Sequence, residues 1–223
     1  MPTLLNRVTG KSFVIDPTAG RVARLRRRIF KWVEIVKELE QDTEGMWGAM
    51  VTLTYRSQSD WRAEQIRDFI KGLRRRLGER LTAYAWVAEL QKRGAIHYHL
   101  IVIMTRGARV RKPDRYGDWP YGMSRVERVK TFYYIAKYTT KGGEQNGNRY
   151  PRGARTFATW VCGAAAEQPS FRNYKHSVFP EWLRQIVDDG GYSQTPRRER
   201  GGGWRVGDKV FTSPYSVIDE RPS

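Results

Sequence analysis

Two of the chain's three histidines stand one residue apart, at His97 and His99. In a strand, residues i and i+2 project from one face, so both imidazoles share a side while Tyr98 points away from it. Two neutral imidazoles on one face are half of a divalent-metal site. A pair of partly buried histidines, hydrogen-bonded within an ordinary sheet, has the same spacing, and the motif alone leaves the two readings even. Glu89 bears on the choice. If a hairpin reverses around Lys92-Arg93-Gly94, Glu89 lies opposite His97 on the same face, whereas a two-residue loop would throw it to the other. A carboxylate at the end of a small, apolar strand (Ala83, Ala85, Val87) is costly to bury without a partner, and a cation removes that cost. Glu89, His97 and His99 would leave coordination positions open for water and phosphate oxygens, which suits Mg2+ or Mn2+ acting as a Lewis acid.

A second constellation follows in the run Tyr134-Ile135-Ala136-Lys137-Tyr138-Thr139-Thr140-Lys141. On a helix, Tyr134, Lys137, Tyr138 and Lys141 fall on one stripe. The plain alternative is a solvated face with two tyrosines resting on lysine stems. Yet Val126, Val129, Phe132, Tyr133 and Ala136 already supply apolar material for packing, so two phenols on a wet face need a reason. Phosphoryl transfer is one. A phenol has a reference pKa of about 10 and attacks poorly at neutral pH; adjacent ammonium groups favour its phenolate and neutralise charge growing on a phosphate under attack.

These residues need elements to hold them. Val22, Leu25, Ile29, Val33, Val36 and Leu39 recur every three or four residues, which predicts an amphipathic helix over 21–44. Residues 49–55 read as a half-buried strand, and Ile66, Phe69, Ile70, Leu73 and Leu77 as a helix closed by Gly78. Residues 82–90 and 96–104 read as two strands joined by a short reversal. A long Arg-rich, aromatic loop spans about residues 105–123. The S-x-x-E box at Ser124–Glu127 then predicts a helix that Gly142-Gly143 closes. A short helix is expected from Pro180 to Val187, residues 190–203 read as a flexible basic linker, and the segment from Trp204 to Ile218 as a strand or a mobile tail. The order predicts an α+β fold: an antiparallel sheet with flanking and accessory helices.

Composition narrows the partner. Over 223 residues, 41 Lys and Arg stand against 23 Asp and Glu, a formal charge of +18. Such an excess favours a polyanion, and aromatics interleaved with the cations favour single-stranded nucleic acid. The loop residues Arg106, Arg109, Arg111, Lys112, Arg115, Trp119 and Tyr121 are the candidates to hold it. A solubility role for the charge is the competing explanation. The lone cysteine, Cys162, excludes an internal disulfide, and no apolar run approaches the roughly 20 residues that span a bilayer, so an intracellular, cytoplasmic protein is expected. Thr9-Gly10-Lys11-Ser12 ends like a phosphate-binding loop, but Leu5 stands where that motif requires glycine. The glycines 201–203 lack the strand and helix of a dinucleotide site. His176 and Cys162 read as structural, and Arg24, Arg26, Arg27 and Arg28 as a solvated helix face.

Glu89, His97-Tyr98-His99 and the YIAKYTTK run, in that order behind the strand Val51–Tyr55, resemble the HUH endonucleases, specifically the rolling-circle replication initiators of plasmids and single-stranded DNA phages. The resemblance covers about residues 47–142. Tyr98 departs from the usual aliphatic middle residue, and the paired tyrosines resemble the two-tyrosine subgroup. The resemblance implies an RRM-like core in a nuclease domain placed over residues 46–190; the residues on either side read as a helical extension packed on the core over 1–45 and a basic, glycine-rich linker and tail over 191–223. It implies nicking of one DNA strand at an origin through a covalent 5′-phosphotyrosine, with rejoining by the reverse step. Glu89, His97 and His99 would hold the metal, Tyr134 or Tyr138 would attack, and Lys137 and Lys141 would assist. Implied partners are single-stranded or hairpin origin DNA and a host helicase and polymerase, with no membrane. A transposase or relaxase of the same superfamily, or a non-catalytic nucleic-acid-binding module, are the alternatives.

Overall fold

The computed structural model describes residues 3–129, 131–135 and 150–218. The chain divides into two compact units, residues 22–171 and residues 1–21 with 172–223. The α+β class holds in both.

In the larger unit, β3 (Trp47–Thr54), β4 (Leu81–Leu90), β5 (Ile96–Met104), β6 (Ser124–Arg128) and β7 (Phe157–Val161) form one antiparallel sheet in the order β6-β3-β5-β4-β7. Between β3 and β4 runs helix α2 (Gln65–Leu77), so the centre is a β-α-β unit split by β5. The period-2 pattern of the strands decides what each face meets. Val51, Leu53, Tyr84, Trp86, Tyr98, Leu100 and Val102 join Ile66, Phe69, Ile70, Leu73 and Leu77 of α2 in one core. The other face carries His97, His99, Ile101 and Ile103. Helix α1 (Pro17–Asp42) lies on that side: Arg28 Nε donates to Thr159 Oγ1 at 2.7 Å and Trp32 Nε1 to the carbonyl of Trp160 at 3.1 Å. Its stripe is wider than expected, with Leu25, Ile29, Trp32, Val33, Ile35, Val36 and Leu39 all buried.

Residues 124–128 correct the expected helix start. They form β6, in register with β3 from Leu53↔Ser124 to Ala49↔Arg128. The Ser124 hydroxyl donates to Asp114 and accepts the Asp114 amide, so it caps nothing. An open edge of β3 outcompeted a local capping signal, because pairing satisfies a whole row of backbone groups and a cap satisfies only one or two. Phe132–Ile135 form a 3-10 turn, and the rest of the predicted helix, 136–142, lies outside the described residues.

The smaller unit contains β1 (Thr3–Asn6), β2 (Ser12–Val14), α3 (Phe171–His176, all but its first residue), α4 (Glu181–Asp189), β8 (Arg197–Arg198), β9 (Trp204–Val206), β10 (Lys209–Phe211) and β11 (Tyr215–Ile218). The two ends of the chain meet in one sheet, β11-β1-β2, and β10-β9-β8 form another. Arg197–Arg198, within the stretch read as a linker, form β8, and the segment from Trp204 to Ile218, read as a strand or a mobile tail, holds three strands. Thr9-Gly10 turn the β1–β2 hairpin, with Gly10 at φ +70°, and Ser12 opens a strand, not the helix a phosphate loop needs. The units fall elsewhere than the boundaries read at 45/46 and 190/191. Helix α1 buries its stripe and belongs with the large sheet, while Phe179, Leu183 and Val187 pack with Val206. Among the described residues no helix is long and apolar enough to cross a membrane.

Candidate functional site

The β4–β5 hairpin fixes the site. Its register runs through Leu90↔Ile96, Glu89↔His97 and Ala88↔Tyr98, the pairing expected of a reversal over Lys92-Arg93-Gly94. Gly94 sits at φ +82°, in the left-handed region that glycine enters without strain, and its amide donates to the Gln91 carbonyl at 2.9 Å. On the other flank β3 pairs with β5 as Thr54↔His97 and Thr52↔His99. Directly opposed residues share a face, so Thr52, Thr54, Glu89, His97 and His99 line one patch near the end of the sheet.

Tyr98 faces the opposite core. Its hydroxyl accepts from Trp61 Nε1 at 2.9 Å and its ring meets Trp86 edge-on at 5.5 Å. An aromatic at this middle position serves packing against α2 and leaves the histidine face untouched.

His99 and Glu89 are in direct contact, with Nε2 2.7 Å from Oε2. An ionised carboxylate can only accept, so Nε2 donates to it, while Nδ1 lies 3.4 Å from the Thr52 hydroxyl. The His97 ring lies 6.1 Å from that of His99, centroid to centroid. Burial, and then the neighbouring His99, push the His97 imidazole down to about 4, so it stays neutral through the physiological range. Its Nε2 is buried and has no hydrogen-bond partner. A neutral ring with an orphaned buried nitrogen is a ligand in search of an acid.

In chemical type and in shared face the three side chains fit a divalent cation. As arranged, with Glu89 turned to His99, no three His, Cys, Asp or Glu side chains among the described residues stand together as a metal site.

Arg93 is a site residue that motif reading missed. From the hairpin turn it donates to the carbonyls of Tyr55 (2.8 Å) and Arg56 (3.1 Å) and to Gln91 Oε1 (2.9 Å), locking the turn to the end of β3. A lone turn arginine carries no sequence signal that would single it out. Gly122 is another: a Cβ there would lie 1.9 Å from the Thr54 carbonyl oxygen, because residues 121–123 run tight along 54–56.

The second constellation is reached only in part. Phe132 packs where Gly48 leaves room, beside Ile103, and Ile135 is fully buried, so the turn 132–135 lies on the histidine side of the sheet. Tyr134 belongs to that turn; its side chain, together with Lys137, Tyr138 and Lys141, lies outside the described residues.

In the loop, Arg106, Arg109, Arg111 and Arg115 are exposed, and Lys112 pairs with Asp114 at 3.7 Å. Trp119 requires a correction. It is 0 % exposed, donates Nε1 to the Thr54 carbonyl at 3.1 Å and packs edge-on with Tyr55 at 5.0 Å, so its ring is committed to the core and offers no platform to a base. Tyr121, half-buried beside it at 5.1 Å, is held in the same cluster. A pocket of about 300 Å³, lined by residues that include Lys37, Glu40, Trp47, Arg128 and Phe132, lies at the other end of β3 and holds none of the expected site residues.

Residues 48–143 match the model of a family described as replication-associated protein ORF2/G2P. The match takes in β3 from Gly48, α2, β4, β5 and β6, and so includes the three strands that carry the patch. No curated protein matches the chain.

Proposed function

From that likeness to replication-associated proteins, we propose that the chain initiates rolling-circle replication by nicking and rejoining one DNA strand, as the HUH endonucleases do. One observation carries the reading: Glu89, His97 and His99 share a face, and the buried Nε2 of His97 lacks a partner. A divalent cation such as Mg2+ or Mn2+ held by these three would polarise the scissile phosphate. The remaining chemistry belongs to the chain. The phenolic oxygen of Tyr134 or Tyr138 bonds to phosphorus, the bond from phosphorus to the 3′ oxygen breaks, and the phenol's proton leaves while the 3′ oxygen gains one and departs as a hydroxyl. Lys137 and Lys141 lower the cost of the phenolate and offset charge on the phosphate. Running the step backwards reseals the strand without ATP, since the phosphotyrosine retains the bond energy.

The direct bond between His99 and Glu89 favours a second reading, a binding module in which the histidines are structural. An oligonucleotide bearing the nick site and labelled on the 3′ side of it, the side the phosphotyrosine retains, separates the two. Covalent transfer of label that requires Mg2+ or Mn2+, is unaffected by Tyr→Phe at one position and is abolished by Tyr134→Phe with Tyr138→Phe, supports the nickase. Salt-sensitive binding with no adduct supports the module. Adduct from the double variant would overturn the tyrosine assignment.

A further inference from the structure

The loop cations lie on the wrong side of the sheet to serve the histidine patch. Trp119 anchors the loop in the core between sheet and α2, meeting Phe69 of that helix edge-on at 6.0 Å, and Asp118 pairs with Arg76 of its last turn. The loop is thus an extension of the α2 layer, and the histidines occupy the opposite face.

Helix α2 has a matching outer stripe. With Ile66, Phe69, Ile70, Leu73 and Leu77 buried, its orientation is fixed. Arg67, Lys71, Arg74 and Arg75 are exposed at i, i+4, i+7 and i+8, on a helix about 20 Å long. Asp68 answers two of them, at 3.2 Å from Arg67 and 3.9 Å from Lys71. Arg109, Arg111 and Arg115 continue the charge on the tethered loop.

We propose that α2 and this loop form a second DNA surface, one that grips the phosphate backbone of a duplex beside the strand being cut. The proposal rests on the DNA-nicking reading above for its biological sense. Two features select a duplex over a single strand. Rings that bases would stack on are capped by cations: Arg74 lies 4.7 Å over Trp160, and Arg111 4.6 Å over Tyr116, which is 58 % exposed. The cations are spread over a rigid helix and an anchored loop, which suits a stiff, regularly charged rod; single strands are held by open aromatic platforms.

The test uses the full chain with a fluorescent blunt duplex lacking the nick site and a single-stranded oligonucleotide bearing it. Replacing Arg67, Lys71 and Arg75 together by Ala should weaken duplex binding at least tenfold and flatten the dependence of log K on log salt by about 0.9 per lost phosphate contact. Oligonucleotide binding and adduct formation should be unchanged. Arg109→Ala with Arg111→Ala should weaken duplex binding likewise, and Arg67→Lys with Arg75→Lys should preserve it. Unchanged duplex affinity, or equal losses for duplex and single strand, would overturn the surface. Absence of adduct from the unaltered chain, with the duplex effect intact, would overturn the nicking reading and leave this surface standing.

Discussion

At the scale of single residues, type did not decide role. His97 and Trp119 both looked reactive or exposed in sequence, and burial sorted them in opposite ways. The His97 nitrogen is buried without a partner, which is a chemical demand. The Trp119 indole is buried with its N–H satisfied, which is none. Trp119→Ala should therefore lower stability by about 3–5 kcal/mol, read as a shift in urea midpoint, with single-strand affinity per folded molecule unaltered. A selective loss of affinity at full stability would return the ring to the DNA surface. Gly122 has no room for a methyl group, since the obstacle is the Thr54 backbone. Gly122→Ala should cost about 1–3 kcal/mol or more, visible as a lowered thermal midpoint. His176 is buried, and burial followed by the nearby Arg172 holds its imidazole below the ordinary value. A depressed histidine favours folding fully above the unfolded pKa of about 6.5 and loses that contribution as pH falls through it toward the folded value. Denaturation midpoints taken from pH 7.5 to 5 should fall faster for the unaltered chain than for His176→Phe.

At the scale of elements, the β4–β5 hairpin is the unit that makes chemistry. Its apolar alternation pins one face to α2, and with a period of two every residue of the other face is then assigned together. Glu89 could not meet His99 if the turn were one residue shorter. Arg93, in the turn, ties the hairpin to the chain that follows β3 and so to Thr52 and Thr54. Arg93→Ala should cost about 1.5–3 kcal/mol, the range for hydrogen bonds from a charged donor. It should also alter the chemical shifts of His97 and His99 in NMR spectra, while Arg93→Lys restores part of the stability. Unmoved imidazole signals would make the arginine irrelevant to the patch. The same scale explains β6. Ser124–Glu127 is a sound capping box in isolation, but the adjacent β3 edge offers more hydrogen bonds than a helix start can.

For the molecule as a whole, the amino-acid order determined the class of fold, the hairpin and its register, the shared face of Glu89, His97 and His99, and a charge that calls for a polyanion. All of these follow from local periodicity or from composition, which act over a few residues or over none in particular. Tertiary structure alone decided which side of the sheet each charged group serves. The loop cations and the histidines are close in sequence terms, yet one indole inserted between sheet and α2 sends the loop to the far layer. It also decided that the chain's two ends pair, β1 with β11, a contact separated by some two hundred residues that no local pattern announces. Long-range pairing is set by which edges and apolar faces remain open once the local elements exist, and that competition is settled only when the whole chain is packed.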